Sequence, residues 1–190
     1  MSSPVLHVLA GPNGAGKSTF VRAVLQPVTH LPFINADEIA AERWPGSEAQ
    51  HAYDASAAAS IERERAFAGR HSFITETVFS HPSKLELVRL GAATGYLVAL
   101  HVILVPEDVT VRRVAHRVTR GGHTVPEAKI RERYRRLWGL VAEARSLAHS
   151  TTVYDNSRAT DPFEVDARYE RGRLIGSAAW PSWTPPALTS

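Results

Sequence analysis

Nine consecutive residues carry the strongest chemical signal in the chain: Gly11, Pro12, Asn13, Gly14, Ala15, Gly16, Lys17, Ser18 and Thr19. They fit the pattern G-x-x-x-x-G-K-[ST] in full and lie between an apolar run and a helical one, the context this pattern needs. The glycines let backbone N–H groups curl around phosphate oxygens, and the N-terminus of the following helix adds its dipole. Lys17 would reach the β- and γ-phosphates of a nucleotide, and Ser18 would hold Mg2+. Glycines at 11, 14 and 16 do not fit G-x-G-x-x-G, so a dinucleotide fingerprint is excluded. The loop predicts binding of a nucleoside triphosphate, ATP with Mg2+, but does not by itself say what becomes of it.

Two carboxylates and a basic segment narrow the choice. Asp37 follows Lys17 by 20 residues, at the end of a short apolar run. In an open parallel sheet the carboxyl ends of the strands line the ligand crevice. A carboxylate there can take the proton of an acceptor hydroxyl as it attacks the γ-phosphate. The competing role for Asp37 is a helix N-cap before Glu38 and Ile39. Glu76, with Thr77 beside it, ends the next apolar run. It suits acceptor hydroxyls or water around Mg2+, against the plainer reading of a surface acid at a strand end.

Residues 112–136 hold nine basic and two acidic side chains, a surplus of seven charges within a chain of net charge +3. Arg113, Arg117 and Arg120 fall on one helical face, and Lys129, Arg133 and Arg136 repeat the spacing beyond Gly121 and Gly122. Phosphoryl transfer needs positive charge on the moving group and exclusion of water, and a hinged arginine-rich lid supplies both. A solvated basic face and a nucleic-acid patch are the alternatives. The Asn-Lys-x-Asp signature of GTPases and the LSGG signature of transporter ATPases are both missing from the sequence. That leaves a small-kinase plan.

The elements that must position these residues can be read along the chain. Residues 5–10 form a β-branched apolar strand, and 20–25 a helix stopped by Pro27. Residues 33–35 give a second short strand. Residues 47–69 read as a helix capped by Ser47, with Tyr53, Ala57, Ile61 and Ala68 as its apolar face and Gly69 as its exit. A third strand ends at Glu76 and Thr77, a helix covers 82–93 with Gly95 as exit, and 96–105 is the most hydrophobic and hence central strand. Pro106 opens a helix that Gly121 and Gly122 break. Pro126 opens another, running to about residue 149 with Ile130, Tyr134, Leu137 and Val141 as an amphipathic stripe. Residues 151–154 are a fifth strand. Alternation over 163–175 reads as a hairpin, followed by an irregular tail packed by tryptophans. The expected fold is α/β: a P-loop NTPase, nucleotide-kinase-like parallel five-stranded sheet flanked by helices, with an Arg-rich helical lid at about 112–136 and a C-terminal β-hairpin and tail at about 160–190, one domain over 1–190.

Composition excludes other classes. The chain has 190 residues and no cysteine, hence no disulfide, thiolate metal site or cysteine nucleophile. No apolar run approaches the roughly 20 residues of a membrane helix. The N-terminus has no basic segment ahead of its apolar stretch and is not read as a signal peptide, so a cytoplasmic location and no membrane partner are expected. Nine histidines show no HExxH pair. Only Lys17, Lys84 and Lys129 are lysines; the other 19 basic residues are arginines, the side chain whose planar fork grips phosphate, although a genome-wide base bias gives the same skew.

Taken together these motifs resemble the zeta-toxin-like P-loop kinases, especially their short single-domain members. The resemblance rests on residues 11–19, on Phe33, Ile34, Asn35, Asp37 and Ile39, on 73–80, on Arg117 through Pro126, on Ile130, Arg133 and Tyr134, and on 154–157, and spans about 4–175. It implies a nucleotide-kinase-like fold, phosphorylation of the amino-sugar 3′-hydroxyl of UDP-N-acetylglucosamine, and restraint by an antitoxin. Asp37 then matches the general base, Lys17 the loop lysine and Glu76 a substrate-binding acid, with Thr77 and Arg117 on the same substrate. The family's two phosphate-gripping arginines lie 13 residues apart, as Arg120 and Arg133 do here. Residues 154–157, through Asn156, are placed at the adenine. The chain is shorter than the long zeta toxins and begins directly at its first strand, so any antitoxin is expected as a separate protein. Two other readings stand beside this one: a kinase of polynucleotide ends or another metabolite, and a nucleotide-binding regulator without phosphoryl transfer. A nucleic-acid partner fits the acids and glycines that accompany the basic segment less well than a kinase lid does.

Overall fold

The computed structural model describes residues 3–118 and 126–189, with the side chains of 117 and 118 outside the description. Its frame is one seven-stranded sheet in the order β2-β3-β1-β4-β5-β6-β7. These strands are β1 (Val5–Ala10), β2 (Phe33–Ile34), β3 (Phe73–Thr77), β4 (Leu97–Leu104), β5 (Ser150–Asp155), β6 (Glu164–Glu170) and β7 (Arg173–Ile175). The first five in that order are mutually parallel, as expected. The C-terminal hairpin does not stand apart. Strand β6 joins β5 antiparallel, with Val153 opposite Ala167, so the hairpin extends the sheet. Strand β4 lies at the middle of the order, as its hydrophobicity predicts.

Alternation along the strands divides the core in two. Leu6, Val8, Phe73, Val98, Leu100 and Val102 face one layer; Leu9, Ile74 and Ile103 face the other, and all are buried. The first layer is covered by α4 (Ala52–Ala68), α5 (Ser83–Ala93) and α7 (Glu127–Leu147). The amphipathic stripe of α7 lands where its spacing puts it. Ile130, Tyr134, Leu137 and Val141 are buried, and the Tyr134 hydroxyl donates to the Val105 carbonyl at 3.0 Å.

The second layer is covered by the helix after the glycine loop. It is α-helical over α1 (Lys17–Phe20), π-helical over Val21–Leu25 and α-helical again over α2 (Gln26–Thr29). Phe20 anchors it, with ring centroids 4.7 Å from Tyr154 and 5.0 Å from Phe163. Beneath it runs a partly buried polar chain. His7 Nδ1 lies 3.0 Å from His101 Nε2, and His101 Nδ1 lies 3.4 Å from the Tyr154 hydroxyl. Burial, helped by the neighbouring His7, pushes His101 down to about 3, so both imidazoles are neutral bridges at ordinary pH.

Three local expectations are corrected. Pro27 does not stop its helix. The π-turn has the Gln26 N–H donate to the Val21 carbonyl, Pro27 falls in the first turn of α2 where no N–H is needed, and left-handed His30 ends the helix instead. Helix α4 starts at Ala52, because residues 47–51 form a separate turn on the Ser47 carbonyl. Its buried face is Ala55, Ala59 and Ala66, while Tyr53 and Ile61 face outward. Small residues let α4 approach closely, and size outweighed hydrophobicity in choosing the face. The tail is less irregular than expected: α8 (Pro186–Thr189) buries Leu188 against α7.

Candidate active site

The glycine loop leaves the carboxyl end of β1 and enters α1 through Gly16, whose φ of 93° is left-handed. A Cβ at Gly16 would stand 2.6 Å from the Asn156 side-chain nitrogen, so two constraints select glycine there. Within the loop the Ala15 N–H donates to the Pro12 carbonyl at 3.2 Å. Lys17 is buried, and its ammonium donates to the same carbonyl at 3.1 Å, folded back over the loop.

Neighbouring elements fix the loop from three sides. From β3, Glu76 accepts a hydrogen bond from the Ser18 hydroxyl at 2.7 Å. From the residue after β5, the Asn156 amide donates to the Ala15 carbonyl at 2.8 Å. From α6 (Glu107–Val118), Arg113 donates to the Gly14 carbonyl at 3.3 Å and the Asn156 carbonyl at 2.9 Å. Asn156, expected at the adenine, has its side-chain amide engaged with the loop. Sequence reasoning placed Arg113 on the lid face without seeing this bracing role; its only signal was its i, i+4 spacing from Arg117. Thr77, expected at the substrate, accepts the Phe79 N–H at 3.1 Å and closes the turn after β3.

Asp37 sits in the first turn of α3 (Ala36–Arg43). The N-cap role weighed for it belongs to Asn35, whose side chain accepts the Asp37 N–H at 2.8 Å. The Asp37 side chain is therefore exposed at the carboxyl end of β2, with no hydrogen bond or ion pair among the described residues. Ile34 pairs with Thr75, so Asp37 and Glu76 end neighbouring strands, with the glycine loop on the next strand over.

The lid divides by what can be described. Arg120 and the two glycines fall outside the described residues, as does the side chain of Arg117. On α7, Arg131 bridges Glu107 and Asp108 of α6 and Glu127 of its own helix, clamping the two helices together. Arg136 is paired with Glu132. Arg133 is exposed and forms no ion pair among the described residues, which leaves it open to an anion.

The model of a family described as AAA domain matches residues 6–139, more than two thirds of the chain. The chain belongs to this family. No curated protein sequence matches this AAA-domain chain. Among solved structures, a chain of the AvrRxo1-ORF1:AvrRxo1-ORF2 complex superposes with a TM-score of 0.68 at 17% identity, over 91% of this chain and 60% of that one. A chain of the PezAT chromosomal toxin-antitoxin system of Streptococcus pneumoniae gives 0.63 at 13% identity, over 87% and 72%. Shikimate kinase from Acinetobacter baumannii gives 0.51 at 19% identity, over 78% and 83%. These likenesses identify a kinase-like P-loop fold. No described helix of this AAA-domain protein is long and apolar enough to cross a membrane.

A cavity of about 380 Å³ lies at the carboxyl end of β5 and the start of β6, between Asp155, Glu164, Asp166, Trp180 and Trp183. Asp166 is 5% exposed, and one of its oxygens has no hydrogen-bond partner. Burial, with Asp155 and Glu164 nearby, pushes it up to about 7, against a weaker pull from Arg158. In the unfolded chain the same carboxyl ionises near 3.8. Between those values the unfolded state releases a proton that the folded state keeps, so this residue's contribution to stability falls as pH rises and is lost above the folded value. Asp166→Asn removes that dependence. Relative to wild type it should gain up to about 1.4 kcal/mol per pH unit between pH 4 and 7. Paired thermal melts at pH 5 and pH 8 read this directly, because the acid sensitivity due to His101 is common to both proteins. An equal difference at both pH values would show that Asp166 ionises normally.

Proposed function

We propose that the protein is an ATP-dependent kinase of zeta-toxin type. It moves the γ-phosphate of ATP to a hydroxyl of UDP-N-acetylglucosamine or a related sugar nucleotide, as the toxin of a toxin-antitoxin pair. The observation that carries this reading is the Ser18–Glu76 hydrogen bond of 2.7 Å at the mouth of a complete phosphate loop, with the unpaired Asp37 at the end of the adjoining strand. That arrangement sets nucleotide phosphates, metal-binding oxygens and a base along one edge of the sheet.

Residues 11–19 wrap the phosphates, braced by Asn156 and Arg113. Lys17 swings from the Pro12 carbonyl to the β- and γ-oxygens. Ser18 and Glu76 are oxygen donors already in contact, suited to Mg2+, which when bound neutralises charge on the phosphates. Asp37 accepts the acceptor's hydroxyl proton as its oxygen attacks the γ-phosphorus and ADP leaves. Arg133, with Arg117 and Arg120 by their place in the sequence, is assigned to the transferring group. The relatives agree with this reading: another structure of the AvrRxo1 complex holds ATP, and PezAT is a toxin-antitoxin system.

The test is incubation with ATP, Mg2+ and UDP-N-acetylglucosamine, followed by mass spectrometry. One phosphate added to the sugar is the expected result. No added phosphate, under conditions where ATP binding is confirmed, overturns the assignment of acceptor.

A further inference from the structure

Beside Glu76 opens a cavity of about 310 Å³, walled by α4, the end of β3 and the start of α5. Apolar stems from Phe67, Leu87 and Leu90 form part of its wall. Among the described residues its cations are Arg63, midway along α4, and Lys84, in the first turn of α5. Both are partly buried. Arg63 donates to the Ser60 hydroxyl at 2.8 Å, and the adjacent Glu64 partly offsets its charge. Lys84 has no such help. Its ammonium makes no hydrogen bond or ion pair among the described residues.

Three carboxylates share this wall: Glu64 offsets Arg63, and the other two are engaged elsewhere. Glu76 holds Ser18, and Glu86 lies 3.8 Å from Arg89 on its own helix. Burial lowers the proton affinity of both cations, and the guanidinium of Arg63 lowers that of Lys84 further, so the two charges feel each other across the cleft. Like charges held together in partial isolation from water are unfavourable in a resting fold. They become favourable when an anion sits between them, since a guanidinium fork and an ammonium together match phosphate oxygens.

We infer that this cavity is the acceptor pocket and that Arg63 and Lys84 clamp a phosphate or diphosphate group on the acceptor, so that its hydroxyl is presented beside Glu76. The inference rests on the kinase reading above and deepens it, because it requires the acceptor itself to be a phosphorylated molecule. A neutral sugar or alcohol would leave the two cations unmatched.

The test uses the whole protein loaded with Mg2+ and a non-hydrolysable ATP analogue, so that the phosphate loop is saturated. UDP is then titrated by calorimetry. Wild type should bind one UDP, and Lys84→Met and Arg63→Gln should each weaken binding about 10- to 100-fold, the scale of a charge-assisted hydrogen bond. Lys84→Arg should restore most of it. In turnover, the same variants should raise KM for UDP-N-acetylglucosamine by a similar factor and leave KM for ATP in place. N-acetylglucosamine, which has no diphosphate, should show no such change. UDP binding that Lys84→Met weakens, with no phosphate transferred to UDP-N-acetylglucosamine, would support the clamp and refute that acceptor. Transfer with an unchanged acceptor KM in both variants, or failure of the loaded wild type to bind UDP, would overturn the clamp while leaving the kinase reading standing.

Discussion

Asp37→Asn is expected to lower phosphoryl transfer by roughly 10²- to 10⁴-fold, the usual contribution of a positioned general base. The fold should hardly register the change. The Asp37 side chain is exposed and engages nothing among the described residues, and the N-cap bond runs from its backbone N–H to Asn35, which the substitution leaves alone. What is lost is the favourable interaction of one carboxylate with the first turn of α3, about 0.3–1 kcal/mol. For a chain of this size that is roughly 1–4 °C in melting temperature. Rate and stability thus separate by orders of magnitude, which a structural role could not produce. ATP affinity should stay close to wild type, because Asp37 lies two strands from the glycine loop. A coupled assay for ADP release with acceptor present, run beside a thermal melt, reads all three quantities. A rate within about tenfold of wild type would remove Asp37 as the base.

Much of the frame was legible because its signals are local. The G-x-x-x-x-G-K-S loop, the apolar run of β4 and the 4-3-4 stripe of α7 each fix an element from fewer than fifteen residues. Others are decided by partners distant in sequence. The buried face of α4 is alanine where α3 packs against it, and no property of the helix alone announces that. The braces of the loop show the same limit. Asn156 and Arg113 meet Ala15 and Gly14 across separations of 141 and 99 residues, and only the fold brings them together. Glu76 was legible as a strand-end acid, but its contact with Ser18 follows from β3 lying directly beside β1. Arg63 and Lys84 sit in windows that read as ordinary helix surface. Only the fold brings both to the wall of one cavity, which a helical wheel drawn for either helix cannot show.

Lys17→Met separates nucleotide binding from proton transfer. Methionine keeps the length of the side chain and removes the charge, so the buried site stays filled while the phosphates lose their cation. Without the ammonium, charge developing on the transferring oxygens goes unmatched, and transfer should fall by roughly 10²- to 10³-fold, the cost of removing one preorganised donor. The free protein should be no less stable than wild type. Lys17 reaches a loop carbonyl at 3.1 Å, and an apolar replacement relieves the burial of a charge. The deciding difference appears on adding ATP with Mg2+. A ligand at a hundredfold over its Kd stabilises by about 2.7 kcal/mol, roughly 5–10 °C in melting temperature for a chain this long. Wild type and Asp37→Asn should both show that rise, and Lys17→Met should lose most of it. The two substitutions therefore give opposite signatures: one keeps the nucleotide and loses the chemistry, the other loses both. Equal thermal shifts in the two variants would mean that the phosphates do not rest on Lys17, and the assignment of the loop as the ATP site would fail with it.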